Sequence, residues 1–322
     1  NLKLFSAFSF GVDVNYRISR TIELSSTVFI QSSSNRFAPI HKHSLHHYLQ
    51  LQICSDDGHC NAVRNFGCNT CAEFAKVGAS VATTPCDVVE EADITFCCVA
   101  DPQAAKEMVF GNCGVLHCRS LEVKGYVEMT SIDSDTSHDI VEALTDRGAR
   151  YLEAQIQGSK TEAEEGTLIV LAAGDRTLFD DCQSCFEAMS KNSFYLGEIG
   201  NASKMNLVLQ VINGVVLAGL AEGMALAHRA GLNQRDLLEV LDLTNLSCRT
   251  IMEKGRAMID SSYTTHQPLS HMQKDLKLAL GMGDMLEQSL PLTATTNEIF
   301  KHAKHRGYAA HDASAVYVRA RF

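Results

Sequence analysis

Between residues 60 and 196, apolar runs of strand length alternate with segments of helical spacing. Nearly continuous apolar runs are typical of strands that are covered on both faces of a sheet. Such runs lie at residues 92–99, 125–129, 150–154 and 167–172. Helical spacing is found at residues 104–109 and 138–148. This alternation predicts an α/β fold with a doubly wound, largely parallel sheet.

The chain changes character near residue 200, where strand-like runs give way to helical spacing alone. The segment 204–227 is long and apolar, but frequent glycines and polar residues favour a buried helix over a membrane span. Further helices are predicted at residues 234–243, 248–259, 270–286 and 293–306. The sequence thus predicts an atypical N-terminal segment 1–59, an α/β domain 60–196 and an all-helical domain 197–322.

Two groups of residues invite a metal interpretation, and neither is favoured. Four histidines at positions 41, 43, 46 and 47 have no carboxylate or thiol at helical spacing, so a solvated loop is the preferred interpretation. The pairs Cys68/Cys71 and Cys182/Cys185 are too far apart for a zinc ribbon. Structural thiols explain them better, and no metal site is predicted.

The charge balance argues against a nucleic-acid footprint. The formal net charge is −10 and the sequence pI is about 5.7, so the field of the whole chain repels phosphate. Basic residues cluster only locally, between Lys301 and Arg306 and at Arg319 and Arg321. Direct DNA binding is therefore expected to be weak and salt-sensitive, and no membrane partner is expected.

Residues 197–204 (GEIGNASK) carry the sharpest chemical signal of the chain. A glycine turn leads into a helix start, with Lys204 one turn into the helix. A lysine so placed can serve in acid–base chemistry if burial or a neighbouring cation lowers its pKa. A lysine that solvates the first turn of the helix explains the spacing equally well. The G-x-G-x-x-G turn that holds a dinucleotide pyrophosphate occurs nowhere in the sequence.

Six ordered motifs resemble the β-hydroxyacid dehydrogenase family, and the resemblance covers about residues 60–322. The motifs are 92–96 (ADITF), 111–116 (GNCGVL), 171–176 (LAAGDR), 197–204 (GEIGNASK), 271–276 (HMQKDL) and 312–317 (DASAVY). The resemblance implies a Rossmann-type domain, an all-helical C-terminal domain built on a long interdomain helix, and oligomerisation through the helical half. It also implies NADP as the cofactor.

The resemblance assigns roles to individual residues. The family's catalytic lysine falls on Lys204. Its substrate contacts fall on Thr130, Gly158 and Asn206. Its NADP contacts fall on Asn65, Val99, Ser131 and Lys274.

Several positions depart from the family pattern. The first strand, glycine loop and first helix are not recognisable in residues 1–58. Phe66 stands where an arginine would contact the adenosine 2′-phosphate, and phenylalanine cannot make that bidentate contact. Leu207 and Val208 stand where active members have paired asparagines. These departures predict impaired cofactor and substrate sites.

Two functions follow from these observations. Within the family, the chain resembles a nuclear, chromatin-associated branch, which implies a homo-oligomeric scaffold, a dimer or tetramer, with nucleosomes and a histone demethylase as partners. Because Lys204 and Lys274 are retained, the alternative is an active NADPH-dependent reductase of small β-hydroxyacids or aldehydes such as glyoxylate or succinic semialdehyde. The expected location is nuclear for the first function, and the alternative is cytoplasmic.

Overall fold

The computed structural model describes residues 2–4, 6–8, 30–32, 82 and 84–320. Predictions for the histidine cluster, the first cysteine pair, Asn65 and Phe66 lie outside the described residues. The chain divides into two compact units, and the division falls between Asn206 and Leu207. The predicted domain limits at 59/60 and 196/197 stay predictions.

A single sheet forms the centre of the first unit, with the strands in the order β2-β1-β3-β4-β5-β6-β7-β8. The strands are β1 Leu2–Leu4, β2 Ser6–Phe8, β3 Ile30–Ser32, β4 Ile94–Cys97, β5 Gly125–Glu128, β6 Arg150–Gln157, β7 Leu168–Gly174 and β8 Ser190–Tyr195. From β4 to β8, all neighbouring pairs are parallel except β6 and β7, which are antiparallel. Parallel pairing therefore dominates these five strands, as the sequence predicts.

Within the described residues, the first unit contains six α-helices, several of which begin at side-chain caps. They are α1 Pro85–Glu91, α2 Pro102–Phe110, α3 Ser134–Thr145, α4 Lys160–Glu165, α5 Arg176–Asp181 and α6 Gln183–Met189. Asp101, Asp133 and Asp175 each accept a hydrogen bond from the backbone N–H three residues later. Such caps satisfy donors that the first turn of a helix leaves unpaired.

Helix packing on both faces of the sheet explains the apolar strands. Because side chains alternate along a strand, Val127 and Leu152 face one core with Phe186 of α6. Tyr126 and Tyr151 belong to the opposite core, which also contains buried side chains of α3. The first unit is thus a doubly wound, Rossmann-type α/β sheet, and the predicted fold class is confirmed.

The second unit is all-helical, also as predicted. Its helices are α7 Asn201–Arg229, which begins in the first unit, α8 Gln234–Asp242, α9 Arg249–Asp260, α10 Leu269–Met285, α11 Pro291–Ala303 and α12 Tyr317–Ala320. The helix predicted at residues 293–306 ends at Ala303. Beyond it the chain continues as the π turn Lys304–Tyr308, where Gly307 has φ 94°.

Helix α7 is by length and composition capable of crossing a membrane. Its most apolar window has a mean hydropathy of 1.7, and 39% of that window is buried inside the protein. The same helix supplies Leu217, Ala221 and Met224 to the core of the second unit. The core helix of a globular domain has these properties too, so the hydropathy alone is weak evidence for a membrane span.

Strand β8 has no counterpart among the predicted strands. Its sequence, SKNSFY, is mostly polar, and three of its six residues are exposed. An edge strand needs only one side of its backbone paired and can carry polar side chains. Hydrophobic patterning therefore gives little signal for it.

Candidate functional site

A row of polar side chains crosses three parallel strands, at the carboxyl ends of β4 and β5 and in the middle of β6. Cys97 on β4 pairs in register with Glu128 on β5, and Glu128 pairs with Glu153 on β6. All three side chains are fully buried. In open α/β sheets this edge is where ligands bind. The row therefore lies where a functional site is expected.

The two glutamates occupy equivalent positions in a repeated triplet. Tyr126-Val127-Glu128 and Tyr151-Leu152-Glu153 have the same pattern and the same register. Since side chains two residues apart share a face, each tyrosine lies on the face of its glutamate. The two tyrosine rings stack with centroids 6.3 Å apart. This repeat is a signal in the sequence that could have identified the pair.

Glu128 is only partly satisfied by its surroundings. Its Oε1 accepts a hydrogen bond from the Thr130 N–H at 2.9 Å. Its Oε2 has no hydrogen-bond partner among the described residues, although the Cys97 thiol faces the carboxyl group. Burial raises the pKa of Glu128 to about 7 in spite of the Thr130 bond, and the neighbouring Glu153 acts in the same direction.

Glu153 anchors the start of the long helix α7. It accepts hydrogen bonds from the Gly200 N–H at 3.0 Å and from the Ser203 hydroxyl at 2.8 Å. Gly200 has φ 90°, a left-handed conformation that glycine adopts without a steric penalty. The first turn of α7 carries Lys204, so this anchor fixes the backbone that presents the predicted catalytic lysine.

Three predicted ligand-binding residues meet at the loop after β5. The Val99 N–H donates to Thr130 Oγ1 at 2.9 Å, and the Thr130 carbonyl accepts from Gln155 Nε2 at 2.7 Å. Ser131 Oγ accepts a hydrogen bond from the Asn206 side chain at 3.1 Å. Val99, Thr130 and Ser131 are thus bonded to groups of the protein itself.

Asn206 is fully buried and held by side chains on three sides. Its Oδ1 accepts a hydrogen bond from Gln157, and its Nδ2 donates to Ser131 Oγ and to Gln155 Oε1, the latter at 3.4 Å. An asparagine amide has two hydrogens to donate, and both have acceptors here. A substrate would have to displace one of these acceptors to receive a hydrogen bond from Asn206.

The remaining predicted residues are distributed between the two units. Lys204 is exposed, and no ion pair of its ammonium group occurs within 84–320. Gly158 has φ 134°, and an added Cβ would lie 2.6 Å from Leu168 Cδ2, so only glycine fits. Lys274 belongs to the second unit, where its ammonium lies 3.3 Å from the buried Asp275 carboxylate.

The described residues do not fit a bound dinucleotide as they stand. The Val99 N–H already donates to Thr130 Oγ1, and the Ser131 hydroxyl oxygen already accepts a hydrogen bond from the Asn206 amide. Nothing in residues 84–320 replaces the glycine turn that the sequence lacks.

The described part of the chain contains no cluster of side chains suited to bind a metal ion. No group of three or more His, Cys, Asp or Glu side chains there could hold a metal ion. Cys182 and Cys185 are buried free thiols in the core of the first unit. Burial raises the pKa of Cys185 to about 12, which keeps it a protonated, inert thiol.

Comparison with known proteins identifies the family. A profile of the NAD binding domain of 6-phosphogluconate dehydrogenase matches residues 51–197. A second, described as the NAD-binding part of NADP-dependent 3-hydroxyisobutyrate dehydrogenase, matches residues 200–320. Together the two profiles cover most of the chain.

Curated relatives and solved structures agree with these profiles. Cytokine-like nuclear factor N-PAC of Anopheles gambiae is 64% identical over 265 residues, which is 82% of this chain and 47% of the relative. Human N-PAC is 40% identical over 260 residues, 81% of this chain and 47% of the relative. A 3-hydroxyisobutyrate dehydrogenase from Salmonella typhimurium superposes with TM-score 0.71 and 25% identity, covering 79% of this chain and 89% of that one.

The chain spans about half the length of the N-PAC relatives that it matches. The two profiles match consecutive parts of the chain, in the order Rossmann-type unit and then helical unit. The fold, the two profiles and the relatives all lead to one assignment. The chain belongs to the β-hydroxyacid dehydrogenase family.

Proposed function

We propose that the chain is the dehydrogenase-fold part of an N-PAC-like nuclear chromatin factor and acts mainly as an oligomerising scaffold. Its relatives at 64% and 40% identity carry the name nuclear factor N-PAC. In this proposal the catalytic site is degenerate and the protein works in nucleosome-linked transcription. Nucleosomes and a histone demethylase are the proposed partners, and the nucleus is the proposed location.

The observation that carries the proposal is the closed hydrogen-bond network around Asn206. Gln155, Gln157 and Ser131 occupy the amide that would orient a substrate. Buried polar groups that are already paired bind a ligand weakly, because each existing hydrogen bond must first be broken. A site of this kind supports the structure of the first unit better than it supports turnover.

Self-association is supported by the outer face of α7. Val208, Ile212, Val216 and Leu226 are all at least 44% exposed. At 3.6 residues per turn these positions fall within one quarter of the helix circumference. Gly219 and Gly223 lie on the same face, and a Cβ added at either would have no atom within 4 Å. A second copy of the chain could cover this apolar face.

A working reductase is the second candidate, and the exposure of Lys204 favours it. Lys204 ends the first turn of α7 and is exposed, which leaves its ammonium group accessible. With NADPH as hydride donor, this group would protonate the nascent alkoxide of a small β-hydroxyacid or aldehyde substrate, such as glyoxylate or succinic semialdehyde.

Cofactor binding separates the two functions. We would titrate the purified chain with NADPH by calorimetry and measure NADPH-dependent reduction of a panel of small aldehydes, with and without Lys204→Ala. The scaffold proposal expects affinity in the high micromolar range or weaker and no turnover. Low-micromolar binding, with turnover that disappears in Lys204→Ala, would instead establish the reductase.

A further inference from the structure

Two buried carboxyl groups lie side by side in the first unit, and neither forms an ion pair with a residue of the described range 84–320. Glu128 and Glu153 are register partners on parallel strands, and their side chains share one face of the sheet. Both are completely buried. Two carboxylates so close in a water-poor environment do not both ionise readily, because the first charge opposes the second.

Among the described residues, the titratable groups that face Glu128 from the strands are uncharged near pH 7. Cys97 faces Glu128 from β4, Tyr126 lies on β5 itself, and Tyr151 faces both glutamates from β6. Burial raises the pKa of each of these three groups well above its usual value, so all three stay neutral near pH 7.

Helix α3 contributes a further titratable residue near this site, His138. A Cβ at Gly200 would lie 2.5 Å from Ser134 Oγ and 3.1 Å from His138 Cε1, so this histidine packs against Gly200. His138 Nδ1 is itself 2.6 Å from the Ser134 carbonyl. His138 therefore faces the anchored loop, and no described contact joins it to either carboxyl group.

We propose that Glu128 and Glu153 form a proton-sharing carboxyl pair that makes the anchoring of helix α7 dependent on pH. Below about pH 7 the pair keeps a proton on Glu128, and Glu153 accepts hydrogen bonds from the Gly200 N–H and the Ser203 hydroxyl. When Glu128 loses that proton, its charge repels Glu153. Separation of the two carboxylates then loosens the hydrogen bonds that fix the first turn of α7.

This inference is independent of the scaffold proposal, because it concerns the backbone at Gly200 and no bound ligand. The pair would also set the position of Lys204 in a working reductase. Glu153 is thus a positioning residue that acts through Gly200 and Ser203.

Carbon-13 NMR of the full chain, labelled at the glutamate carboxyl carbons, tests the proton-sharing step. We expect one carboxyl signal to titrate near pH 7 and to be missing in Glu128→Gln. Glu122→Gln, which alters an exposed glutamate of the same unit, is the matched control and should keep that signal. If every glutamate signal of the wild-type chain titrates below about pH 5.5, the proposal is overturned, whether or not Glu128→Gln folds.

Hydrogen exchange read by mass spectrometry tests the anchoring step. After correction for the intrinsic pH dependence of exchange, the peptide containing Gly200 to Lys204 should exchange several-fold faster at pH 8 than at pH 6. The same ratio in Glu128→Gln should be close to one. An equal ratio in wild type, Glu128→Gln and Glu122→Gln would mean that the pair does not control the helix start, and the proposal would fail.

Discussion

Two buried carboxyl groups, one in each unit, have opposite surroundings and opposite pKa shifts. In the second unit, each carboxylate oxygen of Asp312 accepts a hydrogen bond from Lys254 Nζ at 2.8 Å. Asp312 Oδ1 also accepts from the Ser314 N–H at 3.0 Å and from the Ser314 hydroxyl at 2.6 Å. Burial alone would raise the pKa of Asp312, but Lys254 and Ser314 outweigh it and lower that pKa. Glu128 has Thr130 as its main donor, and its pKa rises to about 7.

The difference shows that burial does not determine the charge of a carboxyl group by itself. Both residues are at most 2% exposed. What differs is the number of donors and the sign of the nearest charge, a lysine for Asp312 and a second glutamate for Glu128. Asp312 therefore stabilises its unit as an anion, whereas Glu128 is tolerated mainly as a neutral acid.

Removal of the Asp312 charge is expected to have the largest effect. In Asp312→Asn, Lys254 stays 14% exposed in its side chain but loses its counter-ion. Breaking a buried ion pair on one side typically costs about 3–5 kcal/mol of stability. Urea unfolding at pH 7, followed by circular dichroism, should show a loss of this size in the free energy of unfolding.

Acid pH provides a second measurement on the same residue. Folding lowers the pKa of Asp312, so its carboxylate contributes to the free energy of unfolding above about pH 4, the pKa of an aspartate in the unfolded chain. This contribution is lost as the pH falls below about 4. Asp284→Asn changes an exposed aspartate of the same unit and serves as control. Similar losses in the two variants at pH 7 would contradict the role of Asp312 as a buried anion.

Glu128→Gln should raise the free energy of unfolding instead of lowering it, and the gain should depend strongly on pH. The folded state keeps its proton up to about pH 7, whereas an ordinary glutamate releases it near 4.5. Wild-type stability should therefore fall as pH rises from 4.5 to 7 and then level off. A rise in the pKa of Glu128 from 4.5 to about 7 corresponds to roughly 3 kcal/mol in the free energy of unfolding, at 1.36 kcal/mol per pH unit. Glu128→Gln should lack this fall.

The comparison is best made by urea unfolding of both proteins at pH 4.5, 6 and 8. The glutamine amide oxygen can still accept from Thr130, so the two should be nearly equally stable at pH 4.5. At pH 8 the variant should be the more stable one by an amount on the order of 2–3 kcal/mol. Parallel curves for wild type and variant would show that Glu128 ionises normally.

Much of the architecture is predictable because it depends on local patterns. Apolar runs and helical spacing predict the strands β4 to β7 and the helices of the second unit with small boundary errors. The antiparallel direction of β7 is not predictable in this way. An apolar run such as residues 167–172 carries no information about strand direction, which depends on how the connection through α4 returns to the sheet.

The repeated Tyr-x-Glu triplet marks Glu128 and Glu153 as equivalent, but hydrophobic patterning does not show that the two are neighbours. Glu128 and Glu153 lie in two different predicted strands, at residues 125–129 and 150–154. Their proximity depends on the strand register, which brings together residues 25 positions apart in the sequence. The network of Asn206 with Gln155 and Gln157 depends on the same register together with the start of α7. Motif matching assigns these residues roles but not partners.

Ser203→Ala removes one of the two donors to Glu153 and is expected to have an intermediate effect. The Ser203 hydroxyl is buried and donates at 2.8 Å to the carboxylate. Hydrogen bonds to charged groups contribute about 1.5–3 kcal/mol, so the free energy of unfolding at pH 6 should fall by that amount. Ser131→Ala removes a hydroxyl that accepts a hydrogen bond from the Asn206 amide, and serves as a comparison in which both donors to Glu153 are kept. A loss below about 0.5 kcal/mol, the range of ordinary surface substitutions, would show that Glu153 does not depend on Ser203.

Lys204→Ala should have the smallest effect on the folded chain. Lys204 is exposed, and no ion pair or hydrogen bond of its ammonium group occurs in the described range 84–320. Surface substitutions of this kind usually change stability by less than about 0.5 kcal/mol, and alanine is a good helix former. The free energy of unfolding and the mass by light scattering should both equal those of wild type. A loss above about 1 kcal/mol would show that Lys204 has a structural partner, and a change in mass would place it in the interface between copies of the chain.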